Sequence, residues 1–501
     1  MQGQKRWLII GGVIFVFGLC FVCALLGGTA ALLSGTTEET APAPTAPSPT
    51  ASSQEFMNAT PGPQATTTEP ARPPSPGSTQ ALLLISENGL WKVTTQEATP
   101  LASLPVYKDL LRLARFKRPY LLSPSGRDVA LVTTEGQGLS LALVRLPSGE
   151  TRTVATLATS EHMDNSIMRV AAVVELPNLA WHPQGERLAF VALTGDGSTS
   201  GLYVYDVETA QVTTVEEGQG FVALPRWSPD GEYLVYAHLT WPAMGGREPN
   251  PDEAQIARFL VWNPATGERA TVDMEGTAIG PDQVLGWMDA RRLVFAQGGT
   301  SCMGPLVALQ VPDGPTQTVD TSTFVSAFAL EGAVFLTSTR DCSLGEGTFL
   351  WKPGGQPQRL ASGRTWDWIP LPSGKGVLTY GIPSGDGVLM GDGQVVLTPD
   401  AQAERFFLAD VSPRGYQAWY DAGAKEVVIR TPEAERKTYP ELPESMTLPA
   451  RGALEFLGWD MDDPVLYMVT REGDVVVATG PVFPDQTLGN IGRFIAGFWV
   501  P

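Results

Sequence analysis

Histidine and cysteine are scarce in this chain of 501 residues, which has three His and four Cys. A zinc centre built on imidazole ligands would have to use all three histidines, so no metal site is predicted. Basic residues are also in deficit, with 34 Lys+Arg against 53 Asp+Glu and a formal net charge of −19. Neutralising phosphates needs a basic surface, so nucleic acid is excluded as a partner. A mean hydropathy of −0.01 argues against a multi-span membrane protein. The chain also lacks a Gly-x-Ser-x-Gly elbow, a phosphate-cradling glycine loop and a Cys-x-x-Cys pair beyond its first apolar segment. No cofactor is implied. Glycine and proline, by contrast, are abundant at 53 and 42. Length alone suggests about three domains, but so many turn formers favour one large all-β domain.

Residues 7–33 carry no charge and follow Lys5 and Arg6. A helix of that length spans roughly 40 Å, enough to cross a hydrocarbon core with tilt. A cleaved secretory signal would have a shorter apolar core and an Ala-x-Ala-like exit. A lipoprotein anchor would want a small residue before Cys20 or Cys23, where Leu19 and Val22 stand. The reading is therefore an uncleaved single-pass anchor, with residues 1–6 cytoplasmic and everything beyond about residue 34 extracytoplasmic. Residues 34–80 hold ten prolines among Thr, Ser and Ala. Such a segment cannot bury enough apolar surface to order itself, and it reads as a disordered stalk.

From residue 81 to 501 a pattern recurs. Its clearest copy is Trp227-Ser228-Pro229-Asp230-Gly231-Glu232-Tyr233-Leu234-Val235-Tyr236. Others are Trp181-His182-Pro183-Gln184-Gly185, Leu122-Ser123-Pro124-Ser125-Gly126 and Val411-Ser412-Pro413-Arg414-Gly415. Degenerate copies lie at Trp287, Phe328, Trp368 and Trp459. Proline presets φ for the first turn position and glycine takes the positive φ that closes the bend. Each copy is followed by two further short β-rich runs, such as Leu202-Tyr203-Val204-Tyr205 and Val212-Thr213-Thr214-Val215. Four antiparallel strands repeated every 40 to 60 residues, about the period of known blade repeats, predict a β-propeller.

These motifs resemble the TolB-type propeller repeat of extracytoplasmic bacterial proteins, over about residues 81–501. The resemblance implies a fold and leaves function open, since the repeat serves scaffolds, transport accessories and peptidase propellers alike. Eight motif-bearing copies plus a partial unit at Ala81-Leu82-Leu83-Leu84-Ile85 make a literal count of nine. The expectation is eight blades of four antiparallel strands, with seven as the alternative and one degenerate copy absorbed by a neighbour. The C-terminal run from Arg493 to Val500 would supply the missing first strand of the partial unit and hide both sheet edges.

With strands a to d counted outward from the axis, the Pro-x-Gly turn joins a to b on one face. The d-to-a and b-to-c connections lie on the other, and three long segments map there: 104–118, 157–178 and 237–258. The first is locally basic, with Lys108, Arg112, Arg115, Lys117 and Arg118. The second carries His162, the third Trp241 and Arg247. Binding tends to reside in loops displayed on a rigid scaffold. Arg112, Arg115, Lys117, His162, Trp241 and Arg247 are therefore the candidate binding residues for a protein or glycan partner. An exposed loop is the plainer account of His162 and His238, and a structural role in a turn that of His182. Cys302 and Cys342 fall at equivalent places in neighbouring blades, which predicts a disulfide in an oxidising compartment. No catalytic residue is assigned. A hydrolase or lyase with a site at the channel mouth stays open, because propeller sites draw on several blades without a linear motif. So does a sensor or accessory subunit of an envelope assembly.

Overall fold

The computed structural model describes residues 81–500 with breaks, and 108–121, 166–169, 241–253 and 439–453 are among the parts outside it. The chain divides into two compact units, Met1–Arg72 and Pro73–Pro501, and every described residue belongs to the second. The expected anchor at 7–33 and stalk at 34–80 lie outside the described residues. Among those described, no helix is long and apolar enough to cross a membrane.

The fold is an all-β propeller. Eight sheets are four-stranded and antiparallel, and every motif copy opens a sheet of its own. In the Trp227 blade the strands run Phe221–Trp227, Leu234–Thr240, Gln255–Trp262 and Arg269–Asp273, in that spatial order. Among the described residues the sheet of the Ser123 copy has three strands, Asp128–Glu135, Gly138–Arg145 and Thr151–Ala158. A bridge pairs Leu122 with Val129, and the residues that precede Leu122 lie outside those described. Among the described residues eight blades are complete, the number expected. No degenerate copy is absorbed by a neighbour.

The inner strands do not alternate in the way the run from Tyr233 to Tyr236 suggests. Leu234, Val235, Tyr236 and Ala237 are all buried, as are residues Leu188 to Leu193 one blade earlier. A blade is packed on both faces by its neighbours, so inner strands read as continuous apolar runs. Alternation survives only at the rim, where Arg269–Asp273 has every second residue exposed.

The turn chemistry is that of the motif. Ser228 Oγ accepts the Tyr233 N–H at 3.0 Å and donates to Asp230 Oδ1, which in turn accepts the Glu232 N–H at 3.0 Å. Ser123 and Ser412 hold their turns in the same way, accepting from Asp128 and Tyr416 at 3.0 Å each. Gly231 has φ of 75°, and a Cβ there would lie 2.2 Å from His182 Nε2 in the preceding turn. Glycine is thus required twice, for its dihedral and for the close approach of successive turns. These turn-to-turn contacts place the Pro-x-Gly bends side by side on one face.

The ring closes through the chain's own end. Phe494–Val500 occupies strand a of the blade whose other strands are Ala81–Ser86, Gly89–Val93 and Ala98–Ser103. The register runs from Ala81 opposite Val500 to Ile85 opposite Ala496. Leu82, Leu84 and Ile85 are fully buried by this pairing, and Ser86 Oγ donates to the Ile491 carbonyl at 2.7 Å. Since strand a ends at the turn face, Ala81 and Val500 both lie there. Thr240, which leads into Trp241, ends a strand b at the other face. The predicted disulfide is present. Cys302 and Cys342, in the b-to-c loops of the Trp287 and Phe328 blades, are bonded with Cα atoms 5.8 Å apart.

Candidate functional site

The three insertions leave the scaffold on the same side, and their feet are fastened to it. In the first, Val106 bridges Thr133, Tyr107 N–H donates to the Val132 carbonyl at 2.9 Å, and Thr134 N–H donates to the Pro105 carbonyl at 2.9 Å. Thr133 and Thr134 sit near the end of a strand b, at the loop face. Lys108, Arg112, Arg115, Lys117 and Arg118 fall beyond this foot, outside the described residues. The third insertion is bounded by Thr240 and the buried Ala254, and Trp241 and Arg247 lie between them outside the described residues.

The second insertion is the best defined. It begins with a short helix, Ser160–Asn165, and His162 on that helix is 5% exposed. Its Nδ1 accepts the Thr159 N–H at 3.2 Å and its Nε2 pairs with the Gly195 carbonyl at 2.9 Å. A Cβ at Gly197 would come within 3.2 Å of the ring. His162 is therefore an anchor pinning the insertion to the b-to-c hairpin of the next blade, not an exposed loop histidine free to take a ligand. At the insertion's far end Asn178 repeats the device. Its Oδ1 accepts the Leu224 N–H and its Nδ2 donates to the Val173 carbonyl, both at 2.9 Å. Of the six residues predicted to bind, His162 alone lies among those described, and it faces inward.

Sequence reasoning missed a polar cluster close to the same face. Glu216 ends strand d of the Trp181 blade, while Tyr236 and His238 stand two apart on strand b of the Trp227 blade. Tyr236 Oη donates to Glu216 Oε2 and His238 Nε2 pairs with Glu216 Oε1, each at 2.5 Å. Arg258 Nη2 donates to His238 Nδ1 at 3.2 Å, so the ring proton sits on Nε2 and points at the carboxylate. Arg269 reaches back to the Val215 carbonyl. Glu216, Tyr236 and His238 are all buried. Burial alone would push the Glu216 carboxyl up, but hydrogen bonds from His238 and Tyr236, with Arg269 nearby, hold it below the ordinary carboxylate range. Burial first, then the bond to Glu216, push the Tyr236 phenol far above its usual value. The only signal in sequence is a Tyr-x-His pair on one side of an otherwise apolar strand. Nothing there says that a glutamate from the preceding blade completes it.

Chemically this cluster clasps two blades together. Both Glu216 oxygens and both His238 nitrogens are engaged, leaving no atom poised to attack or protonate a substrate. His182 is structural as expected: buried, edge-on to Trp227 at 4.9 Å, with Nε2 3.3 Å from the Gly231 carbonyl. Among the described residues no group of three His, Cys, Asp or Glu could hold a metal ion.

No protein-family model matches the chain. A stretch of 74 residues is 31% identical to the Tol-Pal system protein TolB of Alcanivorax borkumensis, covering 15% of this chain and 16% of that protein. The match thus spans only a small part of that curated relative. Among solved structures, TolB from Acinetobacter baumannii is 13% identical, with 56% of this chain and 64% of that one covered and a TM-score of 0.30. A eukaryotic initiation factor is also 13% identical, covering 84% and 98%, at a TM-score of 0.47. Dipeptidyl peptidase 4 of Porphyromonas gingivalis is 10% identical, covering 83% and 60%, at 0.39. Likeness at this level concerns fold and carries no activity across. The chain is a β-propeller, one short stretch of which is similar to TolB.

Proposed function

We propose that this propeller is a binding module, held outside the cell membrane by its N-terminal segment, that takes a protein or glycan partner on its loop-rich face. The observation that carries the reading is the common origin of the three insertions. Val106, His162 and Thr240 all mark exits on the face opposite Ala81 and Val500. A partner could therefore engage all three insertions from one side of the propeller. Two further features support the reading. The Cys302–Cys342 bond suits an oxidising compartment. The basic run Lys108 to Arg118 stands out on a propeller that carries −18 of the −19 net charge, since Lys5 and Arg6 add +2 and residues 34–80 add −3. A local basic stretch in an acidic sequence favours an acidic peptide or an acidic glycan.

The test is to replace 241–253 with a two-residue turn joining Thr240 to Ala254. The variant is expected to keep the thermal midpoint of the parent chain and lose the partner that the parent captures. An unchanged partner would remove that loop from the site.

A further inference from the structure

His238 is buried between two blades, and its ring nitrogens meet groups of opposite charge. Nε2 donates to Glu216 Oε1 of the preceding blade at 2.5 Å, and Nδ1 accepts from Arg258 Nη2 on strand c at 3.2 Å. Arginine can only donate, so the second contact exists only while Nδ1 carries no proton. The other charged or titratable groups about the cluster, among the described residues, are Tyr236 on the same strand and Arg269 and Asp273 on strand d. Burial opposes the charge on Glu216, but hydrogen bonds from His238 and Tyr236 keep it ionised.

The Arg258 contact lies at the foot of the third insertion. His238 comes two residues before Thr240 and Arg258 four residues after Ala254, the pair that bounds 241–253. His238 and Arg258 are register partners, but the ladder shifts at the next step, where Leu239 pairs with Ile256. Ala257 is thus a bulge residue, and a bulge disrupts the pairing locally. The side-chain bond spans that weak step. On its other side Arg258 is the register partner of Asp273, an exposed carboxylate. Partners across strands share one face of a sheet, so Arg258 stands between an imidazole and a carboxylate. In the structure its guanidinium is bonded to the imidazole.

We infer that His238 is a proton-operated latch on the third insertion: when Nδ1 takes a proton, Arg258 leaves it for Asp273 and the foot of the insertion loosens. Imidazole is the side chain whose unperturbed charge changes between pH 5 and 8, so mild acid is the signal. Protonated His238 keeps Glu216 through Nε2, while Nδ1 repels the like charge of Arg258. The two blades stay clasped and two strands of one blade are unpinned. The consequence, release of the partner in mild acid, rests on the loop-face reading.

The test is hydrogen–deuterium exchange of the full chain, without a partner, at about pH 7.5 and about pH 5.5, toward either end of the imidazole range. After correction for the intrinsic effect of pH, peptides covering Ala254 to Trp262 are expected to exchange about threefold faster in acid. In His238→Gln the amide can accept from Arg258 and donate to Glu216 at both pH values, so exchange should stay slow. Arg258→Leu has no bond to lose and should exchange at one rate throughout. A parent rate that does not change with pH, or one that changes as much in either variant, would overturn the latch. Neither result depends on the loop-face reading, which the replacement of 241–253 tests separately.

Discussion

His182 shows what a single position in the repeat controls. Three other turns place serine there, Ser123, Ser228 and Ser412, and each accepts backbone N–H groups across its bend. His182 does so through Nδ1, which accepts the Gln184 N–H at 3.4 Å. Its burial pushes the imidazole below its ordinary value, an effect only partly offset by the Gly231 carbonyl. A group depressed in the folded state contributes stability that is complete above its unfolded value, about 6.5 for His. That contribution is lost as the pH falls through the lower folded value. The parent chain should therefore lose thermal stability between pH 7 and pH 5 by more than His182→Ser does, in parallel melts. Equal slopes would show that the ring does not titrate with unfolding. Glu216 is the other informative residue. Glu216→Ala leaves Tyr236 and His238 buried without their acceptor and is expected to cost about 3 kcal/mol in denaturant unfolding. A change below 0.5 kcal/mol, the usual range for surface substitutions, would mean that the clasp is not a stabilising one.

At the scale of strands and loops, closure and stapling matter most. Ending the chain at Arg493 removes Phe494–Val500 and exposes the whole edge of Ala81–Ser86. The expected result is loss of a single cooperative melting transition by circular dichroism, because an open edge also invites intermolecular pairing. The Cys302–Cys342 bond closes a loop with a sequence separation of 40. In the chain-entropy model that is worth about 4 kcal/mol, and Cys302→Ser should lower the thermal midpoint by several degrees under oxidising conditions only. Parent and variant should melt alike in reductant.

Much at this scale was legible in advance. The Pro-x-Gly turns, the C-terminal strand and the cysteine pairing each follow from local residue types repeated at a fixed place in the blade. Contacts made between blades were not. Glu216 and His238 are neighbours only because one blade's rim strand crosses the next blade's second strand. His162 reads as a loop histidine until Gly195 and Gly197 are seen beneath it.

For the molecule as a whole, the placement of the insertions follows from topology. Strand a of the terminal blade comes from the end of the chain, so Ala81 and Val500 share the turn face. The insertions then have the opposite face to themselves. Repeats identify such a scaffold well and its ligand badly, since the residues that would meet a partner sit in the parts that do not repeat. We propose that partners bind at the loop face. It is tested most directly by placing a photo-cross-linking residue at Trp241 in one copy of the full chain and at Glu232, on the exposed turn face, in another. Irradiation in intact cells should give a discrete cross-linked adduct from position 241 and none from position 232. Adducts from 232 alone, or the same adducts from both, would contradict the account.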